Sequence, residues 1–136
     1  MKITFLTAIL ALCVLIISCK KEPGEGGTST LKGKITVRDY NGSFPAPFFT
    51  DYGAQEEDVY IIYGDGTTSD NRTRTSYDGT YEFKYLRKGT YKIFVYSDDT
   101  NFVSPAPGGK VVIEKTVEIT KNKSEVAIPE IMIIKL

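Results

Sequence analysis

Hydrophobic and polar residues alternate with a period of two along most of the chain after residue 30. In the segments 31–37 and 81–85, apolar or aromatic residues take every second position, and charged residues or threonine lie between them. Because successive side chains of a strand point to opposite faces, this pattern predicts half-buried β-strands, and we find no segment with the period of a helix. The residues predicted to face a core are Leu31, Ile35, Val37, Tyr81, Phe83, Tyr85, Tyr91, Ile93 and Val95.

Turns that contain glycine separate about seven such strands. Asp78-Gly79 predicts a tight reversal, since glycine accepts a positive φ without steric cost. The polar segment 70–76 carries Arg72 and Arg74 and predicts an edge strand whose charges oppose edge-to-edge aggregation. The predicted fold class is therefore all-β, a single seven-stranded antiparallel Greek-key sandwich formed by residues 31–136.

The first residues have the pattern of a secretory signal. Lys2 precedes an apolar run over residues 3–17, which is shorter than the span of about twenty residues that a membrane helix needs. The run ends in Ile16-Ile17-Ser18-Cys19, which resembles the lipobox of bacterial lipoproteins. This resemblance implies that residues 1–18 are a lipoprotein signal peptide, and that Cys19 becomes the N-terminus and carries the lipid.

Residues 19–30 are polar and rich in glycine, which predicts a flexible linker between the lipidated cysteine and the folded domain. Lys20 in place of an aspartate resembles lipoproteins that are sorted to the outer membrane. The charged residues that follow resemble surface-export signals of some Gram-negative bacteria. We therefore expect a lipid anchor in the outer membrane, with the cell surface favoured over the periplasmic face.

Two segments resemble a known family of domains. The segment 31–37 begins like the carboxypeptidase regulatory-like, transthyretin-like domains, and 77–93 is similar to their D-G-x-[YF]-x-F-x-x-L-x-x-G-x-Y pattern. The resemblance implies a seven-stranded, prealbumin-like sandwich that acts as an accessory or adhesive module. The chain departs from the family at residues 40–58, which are longer and more aromatic than the usual first connection.

Composition excludes several classes of function. The chain has 17 basic and 17 acidic residues, so it lacks the basic face that nucleic-acid binding requires. It has no histidine, which removes the usual catalytic base and the commonest zinc ligand. We predict no enzymatic activity, no cofactor and no metal site. Calcium at Asp98-Asp99-Thr100-Asn101 stays open, although the spacing matches no dedicated calcium loop and such residues also populate ordinary turns.

The most unusual segment is 40–52, which holds five aromatic residues and two prolines. If exposed, such aromatic side chains would suit stacking on sugars or a protein interface. Alternatively, Phe44, Phe48 and Phe49 fold back and plug one end of the sandwich, and Tyr40 and Tyr52 are then the better candidates for exposure, since their hydroxyls tolerate water. The candidate contact residues are Tyr40, Phe48, Phe49 and Tyr52. A second loop, residues 102–109, is a further possible contact, and the sequence leaves open whether both loops lie at one end.

The prediction that follows is a non-catalytic, lipid-anchored envelope protein that serves as an accessory or interaction module of an outer-membrane assembly. Its partners would be the membrane, through lipid on Cys19, and an envelope protein or a polysaccharide, with no nucleic acid. One alternative is a surface carbohydrate-binding lipoprotein. Another is a structural subunit that polymerises by strand addition at an exposed sheet edge.

Overall fold

The computed structural model describes residues 21–42, 44–45, 47–101 and 109–136. The predicted signal peptide and Cys19 lie outside the described residues, as do residues 102–108 of the second loop. Within the described ranges the chain forms strands, turns and connections and no helix, which confirms the all-β prediction. It follows that no helix in these ranges is long and apolar enough to span a membrane.

The described part contains nine strands, two more than the seven predicted. The strands are β1 (Glu25–Asp39), β2 (Thr50–Gly53), β3 (Asp58–Tyr63), β4 (Asn71–Arg74), β5 (Thr80–Leu86), β6 (Gly89–Asp98), β7 (Lys110–Ile119), β8 (Glu125–Ala127) and β9 (Ile131–Lys135). The number exceeds the prediction because short strands such as β2 and β8, which have 4 and 3 residues, are too brief to show an alternating pattern in the sequence.

The long strand β1 is the centre of the first sheet. Its first half pairs with β5 and β8, and its second half pairs with β2 and β9. We call the end where β1 begins, with residues 87–88 and 120–124, the N-terminal pole. We call the opposite end, with residues 40–49 and Lys135, the aromatic pole.

The expectation of a purely antiparallel arrangement is wrong for β8 and β9, which both run parallel to β1. The cause lies in the second sheet, whose order is β4-β3-β6-β7 and whose pairs are all antiparallel. Strand β7 ends at the N-terminal pole, where Ile119 pairs with Gly89. The chain therefore starts β8 at the pole where β1 also starts, and both strands run in the same direction.

The two sheets enclose one hydrophobic core, to which both contribute. The predicted inward positions of β1 and β6 are confirmed, since their side chains are buried. Tyr85 is an exception, because it is 71% exposed. Its φ of 60° interrupts the alternation of β5, so that Leu86 is buried instead. The core residues are Leu31, Ile35, Val37, Ala54, Val59, Ile61, Tyr81, Phe83, Leu86, Tyr91, Ile93, Val95, Ile119, Ile128, Ile131 and Ile133.

The linker predicted over residues 19–30 is much shorter in the structure, because β1 begins at Glu25. Just before it, the Gly24 N–H donates to the Tyr91 hydroxyl at 2.9 Å, and the Arg87 N–H donates to the Gly24 carbonyl at 2.9 Å. Ser29 is buried, and its hydroxyl donates to the Lys121 carbonyl at 3.0 Å. A polar, glycine-rich segment is thus held in the sheet by hydrogen bonds to distant parts of the chain.

Candidate functional site

The aromatic segment singled out in the sequence connects β1 to β2 at the aromatic pole. The two strands pair antiparallel with Arg38 opposite Asp51 and Asp39 opposite Thr50. The chain leaves β1 through Asn41 and Gly42, whose φ angles are 50° and 72°. Asp39 supports this turn, because its Oδ1 accepts the Asn41 N–H at 2.7 Å. The connection therefore has a fixed base from which the aromatic residues extend.

An ion pair holds the two strands together beneath the aromatic residues. Arg38 donates from Nε to Asp51 Oδ1 at 2.9 Å and from Nη2 to Asp51 Oδ2 at 2.7 Å. These hydrogen bonds lower the pKa of Asp51 and raise the pKa of Arg38. The Arg38 guanidinium also lies 4.1 Å from the centroid of the Phe49 ring, over its face. One charged group thus fixes both the strand pair and the orientation of an aromatic ring.

The aromatic side chains divide into a packed group and an exposed group. Tyr40 meets Phe44 edge to face at a centroid distance of 4.9 Å, and it lies against Phe49 at 5.8 Å. Phe44 is half-buried, as the folding back of the phenylalanines predicts, whereas Tyr40, a candidate contact expected to be exposed, is half-buried as well. By contrast, Phe48 is 81% exposed and Phe49 is 46% exposed. Of the two phenylalanines that were proposed as contacts, Phe48 is therefore almost fully exposed, and Phe49 is exposed over a little less than half of its surface.

Tyr52 does not lie on the same side of the hairpin as Phe49. It pairs in register with Val37, whose side chain is in the core, whereas Arg38 and Asp51 point to the other face. The Tyr52 hydroxyl donates to Asp39 Oδ2 at 2.9 Å. The Asn41 N–H and this hydroxyl both lower the pKa of Asp39, and the same bond raises the pKa of Tyr52. Tyr52 thus braces the connection through Asp39 while remaining 40% exposed, on the opposite face of the hairpin from Phe49.

The second loop begins and ends at the same pole as the first. Strand β6 ends at Asp98, and β7 starts opposite it at Lys110. The Asp98 carboxylate accepts the Leu136 N–H at 3.0 Å, and Lys135 pairs with Asp39 at the end of β1. The tertiary structure therefore answers the question that the sequence left open, because both loops start from the aromatic pole.

The acidic residues near this loop have partners from the chain itself. Asp98 pairs with Lys110 as well as with the Leu136 N–H, and Asp99 accepts the Asn101 N–H at 2.9 Å. Among the described residues, no group of three histidine, cysteine, aspartate or glutamate side chains could hold a metal ion. The carboxylates seen here act in turns and strand ends, which is the ordinary role of such residues.

An aromatic cluster on the outer face of the second sheet was missed in the sequence analysis. Tyr60 and Phe94 stack at 4.9 Å with an interplanar angle of 11°, and Tyr96 meets both rings edge to face. The sequence contained the signal for this cluster. Side chains alternate along a strand, so residues 94 and 96 must face outward when Tyr91, Ile93 and Val95 face inward. The faces of Tyr60 and Phe94 are turned towards each other, so less of their area is free for a ligand.

Comparisons with known proteins identify no family. No protein-family model matches the chain, and no curated protein matches its sequence. Among solved structures, the chain is similar to a "putative carbohydrate binding protein" from Pseudomonas aeruginosa, with a TM-score of 0.48. The two chains are 10% identical in sequence, and the match covers 82% of this chain and 91% of that chain. At this identity, no residue role is carried over from that protein.

Proposed function

We propose that this chain is a non-catalytic, lipid-anchored envelope protein that presents Phe48 and Phe49 to a protein partner, as an accessory module of an outer-membrane assembly. The observation that carries the proposal is the exposure of these two rings, 81% and 46%, at the pole opposite the N-terminus of the domain. A large exposed aromatic side chain gains its full burial energy only when a second molecule covers it.

The long strand β1 supports this arrangement, because it connects the two poles. Its 15 residues run from the N-terminal pole to the aromatic pole. From Ser29 to Asp39, after the irregularity in which Glu25 and Ser29 both lie opposite Leu86, the strand spans roughly 33 Å at about 3.3 Å per residue. A lipid on Cys19 would therefore hold one end of β1 near the bilayer and direct the exposed phenylalanines away from it.

The chemistry of the aromatic pole fits a protein interface. Aromatic and arginine side chains are enriched in the residues that dominate binding energy at such interfaces, and here Arg38 lies over Phe49. Because Asp51 already neutralises Arg38, a partner would cover an apolar ring without leaving an unpaired charge. The projecting ring of Phe48 would fill a pocket on the partner, as an anchor residue does.

Membership of the carboxypeptidase regulatory-like, transthyretin-like domains is also part of this proposal. Its support is the way in which the motif residues are used in β5 and β6. The motif positions Tyr81, Phe83, Leu86 and Tyr91 are all buried in the core. Gly79, the motif glycine, has a φ of 86° in the turn that precedes β5.

The proposal predicts that a protein partner can be crosslinked to this chain in intact cells, and that its yield depends on the two exposed phenylalanines. The double variant Phe48→Ala/Phe49→Ala should reduce the recovered partner by about tenfold, since truncation of central anchor residues has effects of this size. The measurement is chemical crosslinking of the tagged protein, followed by purification and quantitative mass spectrometry.

Tyr77 provides the matched control, because its side chain is also 81% exposed but lies outside the aromatic segment. Tyr77→Ala should leave the yield of the partner within about twofold of wild type, as is typical of residues outside a hot spot. An equal loss in both variants, or the absence of any stoichiometric protein partner, would contradict the proposal.

The anchor is tested separately through Cys19. In cells fed radiolabelled palmitate, the wild-type protein should incorporate the label and Cys19→Ser should lose it. The lipid chains are the expected source of membrane retention, since each buried CH₂ contributes about 0.8 kcal/mol. A serine variant that still carries the label would show that the lipid is attached elsewhere or that the lipobox reading is wrong.

A surface carbohydrate-binding lipoprotein is the second candidate, and the fixed ring of Phe49 favours it. Arg38 and Tyr40 hold this ring in one orientation, which suits stacking on the apolar face of a sugar. Native gels cast with polysaccharide distinguish this candidate from the first. Retardation that disappears in Phe49→Ala, without any crosslinked protein, would favour the carbohydrate.

For polymerisation by strand addition, one structural feature favours the proposal and another argues against it. Strand β7 is the last strand of the second sheet and offers an edge of 10 residues. However, Lys115 pairs in register with the buried Ile93 and so lies on the inward face of this edge strand. An inward charge on an edge strand is a common protection against edge-to-edge association, and we therefore rank this candidate third.

A further inference from the structure

We propose that a basic surface at the N-terminal pole docks onto an anionic lipid bilayer and sets the orientation of the domain. This surface, which we call the basic collar, comprises Lys21, Arg87, Lys88, Lys121 and Lys123. The proposal goes beyond a lipid anchor, because it assigns a second, electrostatic contact to the protein itself. It rests on the proposed function in one respect: the lipid anchor on Cys19 is what places a bilayer near this pole.

The side chains of the basic collar come from three separate parts of the chain. Lys21, Arg87 and Lys88 line one cleft of about 340 Å³, together with Asn122 of the loop after β7. Two hydrogen bonds attach this loop to β1: the Lys123 N–H donates to Thr28 Oγ1 at 3.0 Å, and Ser29 Oγ donates to the Lys121 carbonyl at 3.0 Å. Lys121 and Lys123 are therefore held next to Asn122, which lines the cleft.

The charges of the basic collar have no neutralising carboxylate partner in the part of the chain that the structure describes. None of its five members forms an ion pair with another described residue. Arg87 illustrates this, since it donates from Nη1 to the Glu22 carbonyl at 3.4 Å, and its buried Nε has no partner in the described part. Elsewhere, cations such as Lys32, Arg38 and Lys84 are paired with carboxylates.

Three acidic residues of this pole lie in a different cleft, and a fourth, Glu25, accepts from Asn71 at 2.7 Å. Glu22, Asp65 and Asp70 line a concavity around Pro23 and Gly89. Asp70 is held inward, because its Oδ2 accepts the Tyr63 N–H at 2.7 Å. The pole thus has an acidic part and a basic part, and the two meet at Glu22, whose carbonyl accepts from Arg87.

The occupant follows from the length of chain outside the structure. Gly24 is held by Tyr91 and Arg87, so only residues 20–23 separate it from Cys19. At no more than about 3.6 Å per residue, this segment cannot place Gly24 farther than roughly 18 Å from a lipidated cysteine. Each basic residue near an anionic bilayer strengthens binding by about fivefold. A bilayer is therefore the anionic partner that this surface meets first.

The experiment uses the chain from residue 20 to residue 136, which lacks Cys19 and contains every strand and core residue described above. Its binding to vesicles is measured by co-sedimentation, with pure phosphatidylcholine or with added phosphatidylglycerol. We expect binding only to the vesicles that contain phosphatidylglycerol, and we expect it to weaken as the ionic strength rises to about 0.15 M.

Two triple variants with the same change in net charge test the location of the surface. Lys88→Gln/Lys121→Gln/Lys123→Gln should weaken the binding by about 100-fold, at about fivefold per charge. The control, Lys34→Gln/Lys92→Gln/Lys135→Gln, removes three cations that also form no ion pair with a described residue but lie outside the basic collar. It should change binding by no more than about threefold.

Two results would overturn the proposal: equal weakening in both triple variants, or no binding of the wild-type chain at low ionic strength. Because this chain has no Cys19, neither result affects the lipid anchor. Conversely, a failure of palmitate labelling would refute the anchor and leave vesicle binding by the basic collar intact. The two proposals can therefore fail independently.

Discussion

Replacing Gly79 with alanine should lower the free energy of unfolding by about 4 kcal/mol, at the upper end of the range for single substitutions. The φ of this residue is 86°, a conformation that alanine adopts only with strain. A Cβ atom at this position would also lie 2.2 Å from the Ile35 carbonyl oxygen and 2.9 Å from the Ala54 nitrogen. Both of these neighbours are backbone atoms that cannot rotate away.

The expected loss of stability is large because the turn at Gly79 lies against the backbone of Ile35 in β1 and of Ala54. The Ile35 N–H donates to the Gly79 carbonyl at 2.9 Å, and the Ala54 N–H donates to the Ile35 carbonyl at 2.9 Å. An added methyl group would push β5 away from β1 and break these two bonds, which lie among buried residues. Unfolding in urea, followed by circular dichroism, measures the loss.

Gly42 is the matched control for this substitution. Its φ is 72°, but apart from its chain neighbours no atom of a described residue lies within 4 Å of the position that a Cβ would take. Gly42→Ala should therefore cost only the backbone strain, about 1 kcal/mol. If both variants lost the same stability, strain alone would explain the effect, and the close approach of Gly79 to β1 would be irrelevant.

The second large effect concerns the Tyr91 hydroxyl, whose removal in Tyr91→Phe should cost about 3 kcal/mol. The side chain is fully buried, and its hydroxyl donates to the Arg87 carbonyl at 2.7 Å and accepts the Gly24 N–H at 2.9 Å. Phenylalanine would leave both backbone groups without this partner. Amide hydrogen exchange at Gly24 should also accelerate, because the start of β1 loses its attachment to β6.

Tyr81→Phe is the control, and its expected result is the opposite. The Tyr81 hydroxyl is buried and has no hydrogen-bond partner in the described part of the chain. This burial raises the pKa of Tyr81. Removing an unsatisfied hydroxyl should leave stability unchanged or increase it by about 1 kcal/mol. A similar loss in both variants would mean that the ring environment, rather than the hydrogen bonds of Tyr91, sets the stability.

The alternating pattern was sufficient to predict the core-facing side of the regular strands. Ile35 and Val37 in β1 and Ile93 and Val95 in β6 are buried as expected. This works because the direction of a side chain within a strand depends only on its neighbours along the chain. It fails at Tyr85, where one positive φ shifts the alternation and nothing in the residue type announces it.

The candidate site was predicted in composition but not in arrangement. The aromatic content of residues 40–52 is visible in the sequence, and Phe48 and Phe49 are indeed exposed. That Tyr52 faces away from them depends on the register between β1 and β2, in which it lies opposite Val37. Register is a property of two segments together, and neither segment specifies it alone.

By itself, the sequence determined the all-β class, the inward face of each regular strand, the positive φ at Gly79 and the aromatic segment that supplies the candidate contacts. Only the tertiary structure decided that β8 and β9 run parallel to β1, that Gly24 is attached to Tyr91, and that both loops begin at one pole while the basic collar lies at the other. The physical reason is the range of the interactions involved. Alternation and turn preference act between residues close in the chain, whereas the Gly24–Tyr91 bond joins residues 67 positions apart.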